Sequence, residues 1–291
     1  MTQVQADIEL GSIGIWSSSI RFAPTEAALQ ATRELEALGF ESLWIPGGID
    51  DGVLGCLEPL LAGTDKLRIA TGIINIWKQP AADVAKWFLA QSPETQARVL
   101  LGVGVSHGPI IGEAWAKPVA KMRAYLDELD AAGVPTDRIC VAALGPKMLE
   151  LSALRTAGAH PYMVTASHTA FARSIMGRDA LLAPELGVVL ETDPDKARAI
   201  ARGIVEPYSK LPNYANNWLR DGFSKHEIDS LDDRLIDAVI AWGDLSAIKA
   251  RIDEYHDAGA NHVCLQAIGP AGMIADLDHD LSDWRMLAKL L

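Results

Sequence analysis

Short apolar strands alternate with amphipathic helices along almost the whole chain, and this alternation constrains the fold more than any other feature. Helical patterns separate the strands, and proline near a helix start or glycine just past a helix end marks several limits. Regular alternation is typical of a parallel sheet joined by right-handed crossovers. The predicted strands are 10–17, 42–46, 67–76, 99–103, 138–144, 159–164, 186–190 and 262–267.

Eight strand–helix units in about 250 residues fit a closed (β/α)8 barrel. We expect one barrel domain over residues 1–291, because no linker-like composition interrupts the chain. An open doubly wound sheet is the alternative. The long stretch 208–232 is predicted to be irregular, a late insertion that acts as a lid or an oligomer contact.

Composition argues against several classes of partner. The formal net charge of −12 disfavours nucleic-acid backbones and anionic membrane surfaces. No run of about 18 apolar residues predicts a membrane span, and the first residues lack the pattern of a secretory signal. Cys56, Cys140 and Cys264 are widely spaced, which indicates reduced thiols in the cytoplasm. No cluster of His, Cys, Asp or Glu predicts a metal site.

The stretch 98–109 is the strongest site candidate, because sites in such folds form beyond the carboxyl ends of parallel strands. A strand buried on both faces leads there into a Gly/Ser/His loop at 104–108. His107 can exchange protons near neutral pH. A catalytic role and a loop histidine bonded to backbone are equally compatible with its position.

Gly102 and Gly104 do not complete a dinucleotide-binding fingerprint. The third glycine of that pattern is replaced by His107, and no acidic strand end follows about 20 residues on. We interpret the two glycines as permitting close backbone approach to a flat or anionic ligand.

Aromatic and small residues cluster at the other strand ends. Trp16, Trp44 and Trp77 end the first three strands and are predicted to wall a site for a planar ring system. Gly72, inside the third strand, predicts a bulge or close backbone approach.

Two predicted helices begin directly after strands five and six, at Gly145 and at 165–169. Free amides and the helix dipole favour an anion at such starts, so we predict a phosphate cradle. Helix capping is the alternative role of Thr165, Ser167 and Thr169.

Five segments, in order, resemble the bacterial luciferase-like flavin and deazaflavin oxidoreductases, and most of all the actinobacterial F420-dependent members. They are 38–46, 70–77, 98–109, 142–153 and 158–169. The resemblance covers nearly the whole chain. It implies a (β/α)8 barrel, usually a homodimer, that binds a flavin-like ring at the carboxyl ends of its strands. The implied cofactor is F420, with FMN as the alternative.

The resemblance also implies roles for individual residues. In the F420-dependent branch, a bulge in strand three carries a non-proline cis peptide behind the ring, which by position is Gly72-Ile73 here. We name Trp16 and Trp77 as pocket walls and His107 as a proton donor, and these three are the candidate catalytic residues. The candidate cofactor-binding residues are Gly72, Ile73, Ile74, Val105, Ser106, Ala143, Leu144, Gly145, Thr165, Ala166, Ser167 and His168.

The chain departs from the sugar-phosphate dehydrogenases of this family. They carry Asp-His after strand two, where this chain has Gly47 and Gly48, and an acidic residue near the position of His107. We therefore expect hydride transfer between F420 and a small organic substrate other than a sugar phosphate. An FMN-dependent monooxygenase on the same barrel and a non-catalytic cofactor-binding paralogue are the alternatives.

Overall fold

A computed structural model describes residues 8–48, 50–270, 272 and 276–291. Residues 1–7, which we interpreted as lacking a secretory signal, lie outside the described residues. The strands are β1 (Ile13–Trp16), β2 (Ser42–Gly47), β3 (Arg68–Asn75), β4 (Val99–Gly104), β5 (Ile139–Val141), β6 (Gly158–Ala159), β7 (Leu181–Leu182), β8 (Glu185–Val189), β9 (Ile240–Trp242) and β10 (Val263–Ala267).

Helices connect the strands on the outside of the sheet. They are α1 (Ser18–Phe22), α2 (Thr25–Leu38), α3 (Val53–Ala62), α4 (Ala81–Leu89), α5 (Pro93–Gln96), α6 (Gly108–Ile111), α7 (Pro118–Ala131), α8 (Pro146–Arg155), α9 (Ala166–Met176), α10 (Pro194–Ser209), α11 (Pro212–Arg220), α12 (Lys225–Ser230), α13 (Asp233–Val239), α14 (Leu245–Asp257) and α15 (Leu277–Leu287).

The ten described strands form one parallel sheet in the order β7-β6-β5-β4-β3-β2-β1-β10-β8-β9. The segment 181–189 closes this sheet. Its first part, β7, pairs with β6, and its second part, β8, pairs with β10, which pairs with β1. Taken as one strand, 181–189 makes an eight-membered ring with β1 to β6 and β10. The predicted (β/α)8 barrel is therefore confirmed, and the open doubly wound sheet is wrong.

Several element bounds differ from the sequence predictions. β5 and β6 are much shorter than 138–144 and 159–164, because the chain leaves the sheet early to build the loops of the barrel mouth. β9 was not predicted; it pairs with β8 outside the eight-membered ring. The stretch 208–232 is helical rather than irregular, since it contains α11 and α12. Its role as a lid stays a prediction.

Trp44 lies inside the barrel, so its predicted place in the wall of a site is wrong. The side chain is 0% exposed. Its ring stacks on His160 with a centroid distance of 4.1 Å, and its Nε1 donates to Nε2 of His262 at 3.1 Å. Residues alternate in direction along a strand, and this alternation points Trp44 at the barrel axis.

Cys140 and Cys264 are buried free thiols and Cys56 is a half-buried one. Within the described ranges, no three His, Cys, Asp or Glu side chains gather as a metal site requires. None of the described helices has both the length and the apolar character needed to cross a bilayer.

Candidate active site at the barrel mouth

The bulge in β3 lies at the carboxyl end of the barrel. The peptide bond Gly72-Ile73 is cis, and the register of β3 on β4 shifts between Ala70 and Ile74. Both the cis bond and the bulge are thus confirmed at the predicted position. Trp16 Nε1 donates to the Gly72 carbonyl at 3.2 Å. Gly72 and Ile73 are half-buried, so this backbone remains partly accessible at the mouth.

Only glycine fits at position 72. A Cβ atom there would lie 2.7 Å from Trp16 Nε1 and 3.1 Å from His160 Nε2. His160 donates from Nδ1 to the Ala183 carbonyl at 2.7 Å, and its buried Nε2 has no partner among the described residues. Burial lowers the pKa of His160 to about 4, so the ring beside the bulge is neutral at pH 7.

The loop after β4 is held by two tryptophans. The Val105 carbonyl accepts from Trp77 Nε1 at 2.8 Å and from Trp115 Nε1 at 3.2 Å. Ser106 follows with a positive φ of 54°, and all four residues are half-buried. Trp77 therefore supports the loop through its indole N–H, and only its ring surface is available to a ligand.

His107 joins this loop to α11. Its Nδ1 lies 3.1 Å from Asn213 Oδ1. With that oxygen as acceptor, the neutral ring carries its hydrogen on Nδ1 and leaves Nε2 as an acceptor. Burial lowers the pKa of His107, and the hydrogen bond to Asn213 opposes this effect. His107 is neutral at pH 7 and takes up a second proton only in more acidic solution.

A row of aromatic rings lines one side of the mouth from Trp16 to His107. Tyr162, Tyr208 and Tyr214 lie between them, and we call these three residues the tyrosine cluster. Successive ring centroids are 5.6, 5.3, 5.0 and 5.4 Å apart. Tyr208 belongs to α10 and Tyr214 to α11, so the stretch 208–232 supplies two of the rings.

Hydrogen bonds occupy two hydroxyls of the tyrosine cluster. Tyr162 donates to Gln266 Oε1 at 2.8 Å, and Tyr208 donates to the Tyr162 hydroxyl at 3.4 Å. No sequence pattern identifies this cluster. Nothing local to positions 208 and 214 indicates that they lie beside Tyr162, because tertiary packing brings them together.

Glu185 is a buried acid below the loop that carries Tyr162. It is 1% exposed, and its Oε2 accepts from the Met163 amide at 3.1 Å. Its Oε1 has no partner among the described residues. Burial raises the pKa of Glu185 to about 8, and the Met163 amide opposes the shift. The carboxyl is therefore mostly protonated at pH 7. A lone glutamate in the apolar run 180–190 was the sequence signal that could have identified it.

The predicted phosphate cradle lies where α8 and α9 begin side by side. Gly145 precedes α8, and Thr165 caps α9 by accepting from the His168 amide at 3.0 Å, which confirms the capping role for Thr165. His168 Nε2 donates to the Leu144 carbonyl at 3.0 Å. The His168 ring thereby ties the two helix starts together.

The end of α11 and the residue after it add two charges to this corner, and no sequence pattern pointed to either. Arg220 Nη2 lies 3.4 Å from the Leu144 carbonyl, and the Thr165 hydroxyl donates to Asp221. A Cβ atom at Gly145 would meet no other atom within 4 Å, so the corner is open. Two helix N-termini, an arginine and an open glycine fit a phosphate group, whereas the Asp221 carboxylate opposes one.

The structure gathers the remaining predicted residues around the same end of the barrel, but not all present a side chain. Ile74 and Ala143 are buried in the core, so only their backbone can face a ligand. Ala166 is half-buried and Ser167 exposed in the first turn of α9. A Cβ at Gly104 would lie 3.2 Å from that of Ala142, which shows that the β4 and β5 ends adjoin.

The sequence and the fold resemble those of known oxidoreductases. No protein-family model matches the sequence. The 5,10-methylenetetrahydromethanopterin reductase of Methanolobus tindarius is 24% identical over 310 aligned positions, which span 86% of this chain and 94% of the relative. The coenzyme F420-dependent tetrahydromethanopterin reductase of Methanopyrus kandleri has a similar structure, with a TM-score of 0.72, 16% identity, and coverage of 96% of this chain and 99% of that chain.

Two further solved structures share the fold over 97% of this chain and 98% of their own. An F420-dependent secondary alcohol dehydrogenase, in complex with an F420-acetone adduct, has a TM-score of 0.71 at 16% identity. The oxygenating constituent of the 3,6-diketocamphane monooxygenase of Pseudomonas putida, in complex with FMN, has a TM-score of 0.66 at 12% identity. Two of these solved structures are F420-dependent oxidoreductases, and the third is a monooxygenase in complex with FMN. They support the predicted resemblance, and their cofactors match F420 with FMN as the alternative.

The protonation of Glu185 gives a test that needs no ligand. Its pKa is near 4.5 in the unfolded chain and about 8 in the fold. Between these values the unfolded state has lost a proton that the folded state keeps, so stability falls as pH rises. We expect Glu185→Gln to remove a decrease of up to about 1 kcal/mol per pH unit in the free energy of unfolding between pH 5 and 8.

Denaturant unfolding at several pH values measures this difference between the variant and the wild type. Glu206→Gln is the matched control, because Glu206 is an exposed glutamate paired with Lys210. We expect this control to keep the wild-type slope. Parallel slopes for Glu185→Gln and wild type would show that the buried carboxyl is ionised.

Proposed function

We propose that this chain, whose sequence and fold resemble the luciferase-like F420-dependent oxidoreductases, transfers a hydride between coenzyme F420 and a small organic substrate. The observation that carries the proposal is the bulge in β3 at the barrel mouth, where the backbone of Gly72 and Ile73 is half-buried beside Trp16. The resemblance implies the cofactor ring against this backbone. Similarity to the F420-dependent structures supports F420 as the cofactor, and similarity to the Methanolobus reductase supports an oxidoreductase.

Different residues at the mouth would bind different parts of the cofactor. Bound F420 would supply a hydride, which is two electrons and one hydrogen nucleus, to an electrophilic carbon of the substrate. Gly72 and Ile73 would support one face of the ring, and Trp16 would hold the Gly72 carbonyl in place. The starts of α8 and α9, together with Arg220, would hold the phosphate.

His107 would supply the proton that reduction of a carbonyl, imine or enone requires. The substrate gains the hydride on carbon, its π electron pair moves to the far atom of the double bond, and that atom needs a proton. The protonated ring can give this proton from Nε2 while Nδ1 stays bonded to Asn213. The half-buried ring can regain a proton from solvent.

F420 binding is the first test. We expect the fluorescence of F420 to change in intensity or polarisation when it is titrated with the purified protein at about 10–50 µM. Gly72→Ala should weaken binding by about tenfold or more, because the added methyl displaces Trp16 or His160. Gly55→Ala is the control, since Gly55 lies exposed in α3 with no atom within 4 Å of its missing Cβ. An unchanged F420 signal would refute the proposal.

The same purified protein separates the alternatives. A yellow protein that holds FMN would favour a luciferase-like monooxygenase, which the FMN-bound structural neighbour makes the second candidate. F420 binding without turnover of any enone, ketone or imine would favour the non-catalytic paralogue.

His107 is tested through the rate of substrate reduction. We expect His107→Ala to lower turnover by about tenfold or more. The wild-type rate should rise as pH falls below 6.5, because burial lowers the pKa of His107 from that value and the donor is the protonated form. The variant should lack this rise. His226→Ala, at an exposed histidine of α12, is the control. A variant with the wild-type rate and pH profile would remove the assigned role.

We further propose that the chain works as a homodimer in the cytoplasm, as the resemblance implies. Light scattering of the purified protein at micromolar concentration should give twice the chain mass of 31.3 kDa. The mass of a single chain would contradict the dimer.

A further inference from the structure

The tyrosine cluster leaves one hydroxyl unoccupied. Tyr162 and Tyr208 donate within the protein, but no hydrogen bond joins the Tyr214 hydroxyl to another described residue. Tyr214 is 5% exposed, and its ring lies 5.4 Å from that of His107. A phenol in this position has a donor to offer to a ligand that enters the mouth.

The surroundings of the cluster carry little charge. Glu185 makes no ion pair with a described lysine or arginine, and the five neighbouring groups on which its charge would act are phenols and a thiol. These groups are Tyr162 after β6, Tyr208 on α10, Tyr214 on α11, Tyr255 on α14 and Cys264 on β10. Burial raises the pKa of every one of them, so all are neutral at pH 7.

We propose that the tyrosine cluster above Glu185 is the wall that receives the hydride acceptor, and that it selects an uncharged carbonyl-type oxygen over a carboxylate. The inference rests on the proposed function, since F420 would supply the hydride. Glu185 is itself a carboxyl group in this environment, with one buried oxygen that has no described partner. At pH 7, where His107 is mainly neutral, a substrate carboxylate at the cluster would meet the same loss of water without a cation to compensate it.

In the reduction of a ketone, the hydrogen bond from Tyr214 stabilises the carbonyl oxygen. The hydride forms the new C–H bond, the π pair of the C=O bond moves to oxygen, and a proton from His107 completes the alcohol. The Tyr214 hydroxyl donates to that oxygen while negative charge builds on it. Glu185 acts as a positioning residue, because its contact with the Met163 amide holds the loop that carries Tyr162.

Matched pairs of probes test the selectivity. Butanone and acetophenone are compared with 2-oxobutanoate and benzoylformate, which have a carboxylate beside the ketone. With reduced F420, we expect kcat/KM for each ketone to exceed that for its oxo acid by about 100-fold. Equal values, or a preference for the oxo acids, would overturn the inference.

Substitution of Tyr214 tests the role of the tyrosine cluster. Tyr214→Phe should lower kcat/KM for the ketones by about tenfold and leave the Kd of F420 unchanged. Tyr125→Phe is the control, because Tyr125 is also buried but donates to the Gln79 carbonyl under α7. If Tyr214→Phe lowers the rate no more than Tyr125→Phe does, the assigned role of Tyr214 is wrong.

A binding measurement separates this inference from the proposed function. Saturation-transfer NMR on the F420-free protein should show contact with acetophenone and none with benzoylformate, and Tyr214→Phe should weaken the acetophenone signal. That result in a protein that does not bind F420 would support the selective wall and reject the cofactor. F420 binding together with equal contact by both probes would reject the selective wall alone.

Discussion

Closure of the barrel by the segment 181–189 is the constraint on which the rest of the mouth depends. The Asn261 side chain accepts from the Leu182 amide at 2.8 Å and from Arg173 at 2.6 Å, which anchors the beginning of the segment. Farther along, the Ala183 amide donates a hydrogen bond to the Ala159 carbonyl, and the Cys264 amide donates one to the Pro184 carbonyl. The closed ring places Glu185 below the loop after β6, where its carboxyl bonds to the Met163 amide.

The closed barrel also determines which groups carry charge. His160 and His262 lie inside it, and burial lowers the pKa of each to about 4, whereas burial raises that of Glu185 to about 8. All three groups are therefore mainly neutral at pH 7, although they would be charged or partly charged in water. An interior that keeps acids and bases neutral is compatible with the hydride transfer that we propose, which requires water to be excluded from the reacting atoms.

Sequence patterns were sufficient to predict the features that depend on residues close together in the chain. The apolar strands and the glycine and proline limits of the helices predicted the barrel, and the strand glycine at 72 predicted the bulge. The cis bond at Gly72-Ile73 followed from the resemblance and not from the pattern. Trp44 was wrongly predicted to line the site, because only its position near a strand end was considered. Side chains alternate in direction along β2, and this alternation points Trp44 inward.

Tertiary packing brings to the barrel mouth the residues that no sequence pattern revealed. Tyr208, Tyr214 and Arg220 lie in helices, and Asp221 directly follows α11. In an amphipathic helix the same residue types usually belong to a solvated or core face. Their position over the mouth depends on contacts of α11 with distant parts of the chain, such as the hydrogen bond from Trp218 to the Met163 carbonyl at 3.1 Å. No spacing within 208–232 encodes that contact.

Two separate parts of the chain build the mouth, and the sequence of one part can change without changing the structure of the other. Residues on or directly after β1, β3, β4, β5 and β6 provide the bulge, the His107 loop and the helix starts, which are the parts assigned to the cofactor. Helices α10 and α11 provide Tyr208, Tyr214 and Arg220, and they connect β8 to the rest of the chain outside the barrel ring. Changes in these helices can alter the proposed substrate wall without disturbing the sheet, because the barrel closes through 181–189 and β10. On the proposed function, substrate choice would therefore depend mainly on the helices between β8 and β9.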